Sequence, residues 1–512
     1  MQKPNTNMPP VTKQKKTARL SNAEKSSFFA RREAAKVLTS VLDGDARRQA
    51  AGSIKSLVFK PSVRNKKATF ALVCQTLKCL PYIKEILESS DILNNKWKKQ
   101  QALMYLITYD ILFGQNVALV GDAEKFLQHK KDALLSALAQ ILVKNRVKNA
   151  KDLMALRSDV SKPRYVRVNT LKLNTKAAAA VFRKRHKVQK DDLVPDLLLL
   201  PPGTDLHDHQ LVKNGSVLLQ GKASSMVAVA LDPKPGWEVL DACSAPGNKT
   251  VHLAALMRGE GKIIACELNK ERVKRLECTI KQAGATNVEV LHGDFLKLSP
   301  VDPSYSKVRA ILVDPSCSGS GTAVDRLDHL LPSYQTGHVD QGEMHRLSKL
   351  AAFQKMALEH ALSFPGVERI VYSTCSIHQI ENEDVINSVL PFAISRGFKL
   401  GTPFPQWTRR GLPVIEESEQ LLRTDPVEDK EGFFIALFVR SISQSESLQE
   451  REIGNHQSAV VPCKISERKV EAVNKSRLRS SCFFPSISLK MSRVLLNPYF
   501  DVWNSKSGKY QH

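Results

Sequence analysis

No run of about 18 consecutive apolar residues, the length a membrane-crossing helix needs, occurs in the sequence. The apolar run Leu197 to Leu200, for instance, stops at Pro201-Pro202. The opening residues, MQKPNTNMPPVTKQKK, lack the apolar segment of a secretory signal. A cytosolic or nuclear protein without a membrane partner is therefore expected. Cysteine is sparse, with 9 in 512 residues, and no two stand at C-x-x-C spacing. That excludes a disulfide scaffold and argues against a structural zinc site, so no metal is expected. Acidic side chains are also few: 51 Asp and Glu stand against 76 Lys and Arg. The rest of the composition, 42% hydrophobic and 25% charged, is that of an ordinary globular chain. Its length gives a prior of roughly three domains.

The formal charge of +25 points to a polyanionic partner. Nucleic acid is the first reading and an anionic membrane surface the second; a solvated basic surface with no partner is the third. The excess is concentrated at the front, where residues 1–70 hold 16 basic and 4 acidic side chains. Residues 1–26 read as a disordered basic arm, with five Lys or Arg and no acid among the first twenty. Lys13-Gln14-Lys15-Lys16 within it has the composition of a nuclear-import patch.

Residues 27–150 read as a helical domain. Ala34, Val37, Leu38, Val41 and Leu42 recur at three and four, with Gly44 as the expected stop; Leu103, Leu106, Ile107 and Ile111 repeat the pattern before Gly114. Cys74 and Cys79 lie in an apolar helix and are expected in its core. The run PRYVRVNTLK opens a small mixed α/β lobe over 163–220, and its alternation suits a strand with a solvated face. Its Arg and Lys residues suit a nucleic-acid role. From Trp237 onward, apolar strand-like segments alternate with amphipathic helices: WEVLDAC, KIIACEL, NVEVLHGDF, VRAILVDPS, VERIVYSTCS, FKL and GFFIALFVR. Seven strands interleaved with helices predict an α/β doubly wound, largely parallel sheet over 221–440, its last two strands forming a terminal pair. Residues 441–512 turn polar and Ser-rich and read as a mostly disordered tail.

The chemistry should sit at the carboxyl ends of those strands. DACSAPGNKT, residues 241–250, leaves the first strand and enters a helix. Its small residues let a ligand approach the backbone, and Pro246 stiffens the turn. The sequence matches neither the phosphate-binding G-x-x-x-x-G-K-[ST] loop nor the three-glycine dinucleotide fingerprint. A nucleoside ligand without a phosphate fits better, and S-adenosylmethionine is such a ligand. Glu267 ends the second strand, where a carboxylate accepts ribose hydroxyls, and Arg272 follows to fix it. Asp294 ends the third strand, where an acid accepts an adenine amino proton. Taken singly, each acid reads better as a helix cap or a loop charge; three acids at the ends of successive strands, after a small-residue loop, together favour a nucleoside ligand.

Asp314 ends the fourth strand, Cys317 follows in a Gly/Ser loop, and Cys375 stands at the tip of the fifth. Neighbouring strand ends bring both thiols to one cleft. Such a pair suits cytosine. A thiolate adding to carbon 6 makes carbon 5 nucleophilic toward a sulfonium methyl, and a carboxylic acid at ring nitrogen 3 stabilises the adduct. A second thiol assists release, and Lys249 orients the carboxylate and lowers a thiol pKa. The chemistry alone leaves open which thiol attacks.

DACSAPGNKT, Glu267, Asp294, DPSCSGSG and STCS followed by Glu381-Asn382-Glu383 resemble the Sun-domain RNA cytosine-C5 methyltransferases, and RVNTLK resembles that family's RNA-recognition lobe. GNKT with DPSCSGSG and a helical front domain is most similar to the eukaryotic 25S/28S ribosomal RNA subgroup. Pro315-Ser316-Cys317 and Asn248 depart from the wider family and mark that subgroup. The resemblance covers about residues 27–440. It implies a Rossmann-like S-adenosylmethionine-dependent methyltransferase domain preceded by RNA-binding parts. It implies that Cys375 is the nucleophile, that Cys317 aids release, and that Asp314 and Lys249 complete the catalytic set. It places the cofactor against Cys243, Ser244, Ala245, Pro246, Gly247, Asn248, Lys249, Glu267, Arg272, Asp294 and Asp314. It further implies large-subunit ribosomal RNA as partner, a nuclear and nucleolar location, and a monomer. A transfer RNA substrate, or a non-catalytic assembly factor on the same fold, remain the alternatives.

Overall fold

The computed structural model describes residues 21–47, 53–93, 97–114, 120–155, 162–335 and 341–441. The expected basic arm before residue 21, with its import patch, and the tail from residue 442 lie outside them.

The front of the described chain is helical: α1 (Asn22–Ala46), α2 (Ile54–Val58), α3 (Lys66–Ser89), α4 (Gln101–Leu112), α5 (Asp122–His129), α6 (Lys131–Lys144) and α7 (Ala150–Ala155). The helix starts earlier than the arm boundary at residue 26 anticipates. Ser21 and Glu24 form a reciprocal capping box that satisfies the first free N–H groups. Gly44 does not stop α1 either; it is buried inside the last turn, and the helix runs on to Ala46. Ala34, Val37, Leu38 and Val41 form the buried stripe that the spacing predicts, packed with Leu77, Leu80, Leu106 and Leu138 of the neighbouring helices. Cys79 is buried in that core, and Cys74 packs against it half-exposed.

The small lobe is a four-stranded sheet in the order β2-β3-β1-β4, where β1 is Arg164–Val168, β2 Gln189–Lys190, β3 Leu197–Leu200 and β4 Val217–Leu218. α8 (Thr175–Arg183) and the short α9 (Gln210–Lys213) complete it. The strand β1 stops at Val168, and its expected solvated face is buried: Arg167 and Asn169 are both 0% exposed. A single alternation pattern cannot distinguish a face in water from a face against another domain.

α10 (Lys222–Leu231) leads into the large sheet, ordered β10-β12-β9-β8-β5-β6-β7. Here β5 is Glu238–Asp241, β6 Lys262–Glu267, β7 Val288–His292, β8 Val308–Val313, β9 Arg369–Thr374, β10 Phe398–Gly401 and β12 Phe433–Arg440. The strands from β7 to β9 run parallel, and β12 and β10 close the edge as an antiparallel pair. A further short strand, β11 (Leu422–Thr424), pairs with β12 and is absent from the seven-strand expectation. The intervening helices are α11 (Asn248–Leu256), α12 (Lys270–Ala283), α13 (Ala323–Arg326), α14 (Pro332–Gln335), α15 (Gln341–Leu362) and α16 (Glu383–Ser395). Apolar clusters fill the space on the sheet's faces, one around Ile311, Ile370 and Phe434 and another around Val239, Leu312 and Ile435. From β5 the chain winds outward to β6 and β7 on one side and to β8 and β9 on the other. The crevice at the carboxyl ends of β5 and β8 is therefore the switch point of the sheet. No helix among the described residues is long and apolar enough to cross a membrane.

Candidate active site

β5 delivers Asp241 to the crevice floor. Thr250 Oγ1 donates to Asp241 Oδ2 at 2.7 Å, while the buried Oδ1 meets no donor. Burial, which the Thr250 bond only partly offsets, pushes this carboxyl up to about 7. The turn that follows is held by Ser244 Oγ, which bonds the carbonyls of Asp241 at 3.0 Å and Cys266 at 2.8 Å. Ala245 is buried and Pro246 exposed. Gly247 adopts φ +103°, and a side chain there would stand 3.0 Å from Leu276 Cδ1, so glycine alone lets α12 approach the loop this closely. Asn248 opens α11, and its carbonyl accepts from Arg167 NH2 at 3.1 Å.

Glu267 ends β6 and is nearly buried. Its Oε1 accepts from Asn269 N at 2.9 Å, and its Oε2 lies 3.3 Å from Arg272 NH1. Arg272 NH2 also donates to the Ala245 carbonyl at 2.6 Å, so one guanidinium ties the second strand's tip to the loop after the first. Asp294 ends the third strand, and its Oδ1 caps the following turn through Leu296 N at 3.1 Å. Cys243 sits between these groups. Burial, with the Asp241 and Asp314 carboxylates adding to it, pushes its thiol well above the ordinary range.

β8 and β9 present the remaining residues side by side. Lys249 Nζ reaches Asp314 Oδ2 at 2.7 Å, and Ser373 Oγ donates to Asp314 Oδ1 at 2.6 Å. Cys317 and Cys375 face each other with 3.3 Å between sulfurs. The hydrogen bond from Cys317 lowers the Cys375 thiol to about 7 against the effect of burial, and the Lys249 ammonium helps. The same contact pushes Cys317 far up, so the shared proton rests there. Burial works against the Lys249 charge, but the adjoining Asp314 carboxylate outweighs it and holds the ammonium. The four expected catalytic residues thus meet at one place. Glu267, Arg272 and Cys243 line the adjoining arm of the crevice.

Other side chains hold the site together without a role assigned from the sequence, although Glu381-Asn382-Glu383 is part of the family resemblance. Glu381, Asn382 and Glu383, all 0% exposed, clamp the two thiol-bearing loops. Glu381 Oε1 accepts from Ser318 N at 2.9 Å and from Gln354 Nε2 at 3.0 Å. Asn382 Nδ2 donates to Ser376 O at 3.0 Å, and its Oδ1 accepts from Thr374 Oγ1 at 2.6 Å. Arg423, on the unforeseen β11, pairs with Glu383 at 2.5 Å and donates to Ile377 O at 3.1 Å. Gly321 lies so close to the turn before β12 that a side chain would sit 2.0 Å from the Gly432 carbonyl.

The RVNTLK run also has a different place from the one expected of it. Arg167 turns inward, donating to Gln220 Oε1 at 2.8 Å and lying 3.9 Å from Asp196, besides its bond to Asn248. Asn169 Nδ2 bonds the carbonyls of Gly215 at 2.9 Å and Ala283 at 2.8 Å, and Lys172 Nζ bonds those of Asn214 and Gln282. These side chains staple the small lobe to α11 and α12.

Residues 228–439 match the family model described as 16S rRNA methyltransferase RsmB/F. Residues 67–154 and 181–220 match the N-terminal and ferredoxin-like domains of NOL1/NOP2/Sun domain family member 5. Over 447 residues the chain is 62% identical to the 25S rRNA (cytosine-C(5))-methyltransferase NSUN5 of Arabidopsis thaliana, spanning 87% of this chain and 77% of that one. The chain belongs to the Sun-domain RNA cytosine-C5 methyltransferases. This Sun-domain chain is also 38% identical over 426 residues to the 28S rRNA (cytosine-C(5))-methyltransferase of Mus musculus, covering 78% of this chain and 90% of that one. The crystal structure of PH0851 superposes on the Sun-domain chain with a TM-score of 0.56 at 22% identity, over 80% of this chain and 99% of that one, a likeness of fold.

Proposed function

We propose that this chain methylates carbon 5 of a cytosine in large-subunit ribosomal RNA, with Cys375 as the nucleophile and S-adenosylmethionine as the methyl donor. The observation that carries the reading is the meeting of Cys375, Cys317, Asp314 and Lys249 at the tips of adjacent strands, with the Cys375 thiol lowered to about 7. The named relatives act on 25S and 28S ribosomal RNA, which supports the substrate class. A nuclear, nucleolar location follows from that substrate.

The crevice residues fit the donor. The buried Asp241 Oδ1 lacks the donor that an amine or hydroxyl supplies, and the Glu267 carboxylate, steadied by Arg272, suits a ribose. Cys243, Ser244, Ala245, Pro246, Gly247, Asn248, Lys249, Asp294 and Asp314 complete its surroundings. When bound, S-adenosylmethionine supplies an electrophilic methyl group.

The chain's own residues do the rest. The lowered Cys375 thiol supplies a thiolate to bond to carbon 6 of the base. Asp314, fixed by Lys249 and Ser373, faces the base edge at nitrogen 3, and the proton placed between its carboxyl and that nitrogen stabilises the adduct. Water takes the carbon 5 proton, the electron pair of that C–H bond re-forms the 5,6 double bond, and Cys375 departs as a thiolate whose sulfur accepts from the Cys317 S–H. A cytosine within folded RNA must leave its stack to reach the crevice. The basic helical domain over 27–150 and the lobe over 163–220 hold the surrounding backbone.

Purified chain with radiolabelled S-adenosylmethionine tests this. Large-subunit ribosomal RNA should gain 5-methylcytosine at one position, and Cys375→Ala should gain none. Equal labelling by Cys375→Ala would remove the assignment.

A further inference from the structure

The helical domain holds a cavity of about 460 Å³ between α1 and the connection from α2 to α3. Such a volume lies within the ~300–1,000 Å³ of small-molecule sites. Phe29, Glu33, Lys36, Val37 and Ser40 of α1 recur at three and four and present one face to it. Val37, Leu57 and Val63, each less than a tenth exposed, form an apolar floor. Phe29 stands at the rim, 54% exposed, its ring meeting Phe28 edge-on at 5.6 Å between centroids and otherwise open to solvent.

The charges sort into two sets. Arg32 is committed: its guanidinium forks onto Glu124 and covers the Phe28 ring. Glu33 is committed too, its carboxylate accepting from Arg64 N at 3.0 Å and Asn65 N at 3.1 Å. That pins the α2–α3 connection with the Arg64 side chain outward. Lys36, Lys60 and Arg64 are exposed, and none pairs with a carboxylate among the described residues. An apolar floor, an exposed aromatic ring and three uncommitted cations around one opening suit a flat base carried on a phosphate chain.

We propose that this cavity binds one unstacked nucleotide of the RNA substrate, away from the catalytic crevice. The base lies against Phe29 and the Val37–Leu57–Val63 floor, and its flanking phosphates meet Lys36, Lys60 and Arg64. The inference rests on the reading that the chain acts on RNA and adds where a second part of that RNA is held. A distant anchor of this kind fixes the register of the RNA, so that one cytosine rather than many reaches Cys375.

The test uses the full chain, a labelled single-stranded oligouridylate and large-subunit ribosomal RNA. The double variant Lys60→Glu, Arg64→Glu should weaken oligouridylate binding at least about tenfold. It should also flatten the plot of log affinity against log salt by roughly 1.4, the loss of two phosphate contacts to a single strand. Phe29→Ser should weaken binding roughly fivefold or more with the salt slope unchanged, because stacking releases no counterions. Both variants alter exposed side chains, so their melting midpoints should match wild type. Wild-type affinity and slope in both variants would overturn the proposal, whatever other partner the cavity then takes. Methylation of ribosomal RNA by the unaltered chain is the separate control. If it fails, the functional reading falls; if it succeeds while the variants bind as wild type, only the nucleotide site falls.

Discussion

At the residue scale the site depends on a proton held by one of two sulfurs. Cys317 keeps it and Cys375 gives it up at about pH 7 because the Cys317 hydrogen bond favours the Cys375 thiolate. The rate of a single methyl-transfer turnover should therefore rise with pH, bend near 7 and level off above it. Below that point Cys375 is protonated and cannot attack. In Cys317→Ala the favourable hydrogen bond is gone, so the bend for adduct formation should move upward. The same variant should accumulate a protein–RNA adduct that survives denaturing electrophoresis, with turnover reduced by about a hundredfold or more, the scale of a lost proton-transfer partner. A pH profile unchanged by Cys317→Ala, with no trapped adduct, would show that the second thiol has no part in release. The positions of Asp314, Cys317 and Cys375 were legible in the sequence because each follows a continuous apolar run. A buried parallel strand is written in just that way, and its end aims the next residue into the crevice. Gln354 was not legible, and Ser373 and Glu381 were legible only as parts of the family motifs, because the roles of all three come from bonds between segments distant along the chain.

At the scale of elements, the strand β1 shows where pattern reading stops. Its alternation identifies a strand, but Arg167 points into a buried junction with Asp196, Gln220 and the first residue of α11. Burial lowers even this guanidinium to about 10, with the Asp196 charge working the other way. Arg167→Ala removes one side of this buried junction and leaves Asp196 with His252, 3.3 Å away, as its remaining partner, a change worth about 1–3 kcal/mol of stability. Denaturant unfolding should register that loss, and a change below about 1 kcal/mol would mean that the junction tolerates an open charge. The start of α1 was readable in principle from Ser21 and Glu24, a capping box three residues apart, although the basic composition around it suggested an arm. The three-residue β11 is too short to carry a periodic signal, yet it brings Arg423 to Glu383 beneath the Cys375 loop.

At the scale of the whole molecule, the helical domain and the sheet domain are joined by a segment that the sequence places in neither core. Leu330, which follows the loop of Cys317, is 4% exposed and belongs to the apolar cluster of α1, α3 and α4. Ser333 next to it bonds Asp45 at the end of α1 through its N–H at 3.1 Å and through its hydroxyl. Leu330→Ala should therefore cost about 2–5 kcal/mol and raise amide exchange in α1 and α3, even though the residue lies more than 240 positions after α3 and more than 280 after α1. Exchange raised only around α13 would contradict that coupling. The connection also ties the end of α1 to the segment that follows the loop of Cys317. The most direct measurement of the central claim is a map of 5-methylcytosine in ribosomal RNA from cells lacking this protein, rescued with wild type or with Cys375→Ala. The account predicts loss at one large-subunit cytosine, restored by wild type and not by Cys375→Ala. An unchanged ribosomal RNA map in the deficient cells would contradict the substrate, and rescue by Cys375→Ala would contradict the nucleophile.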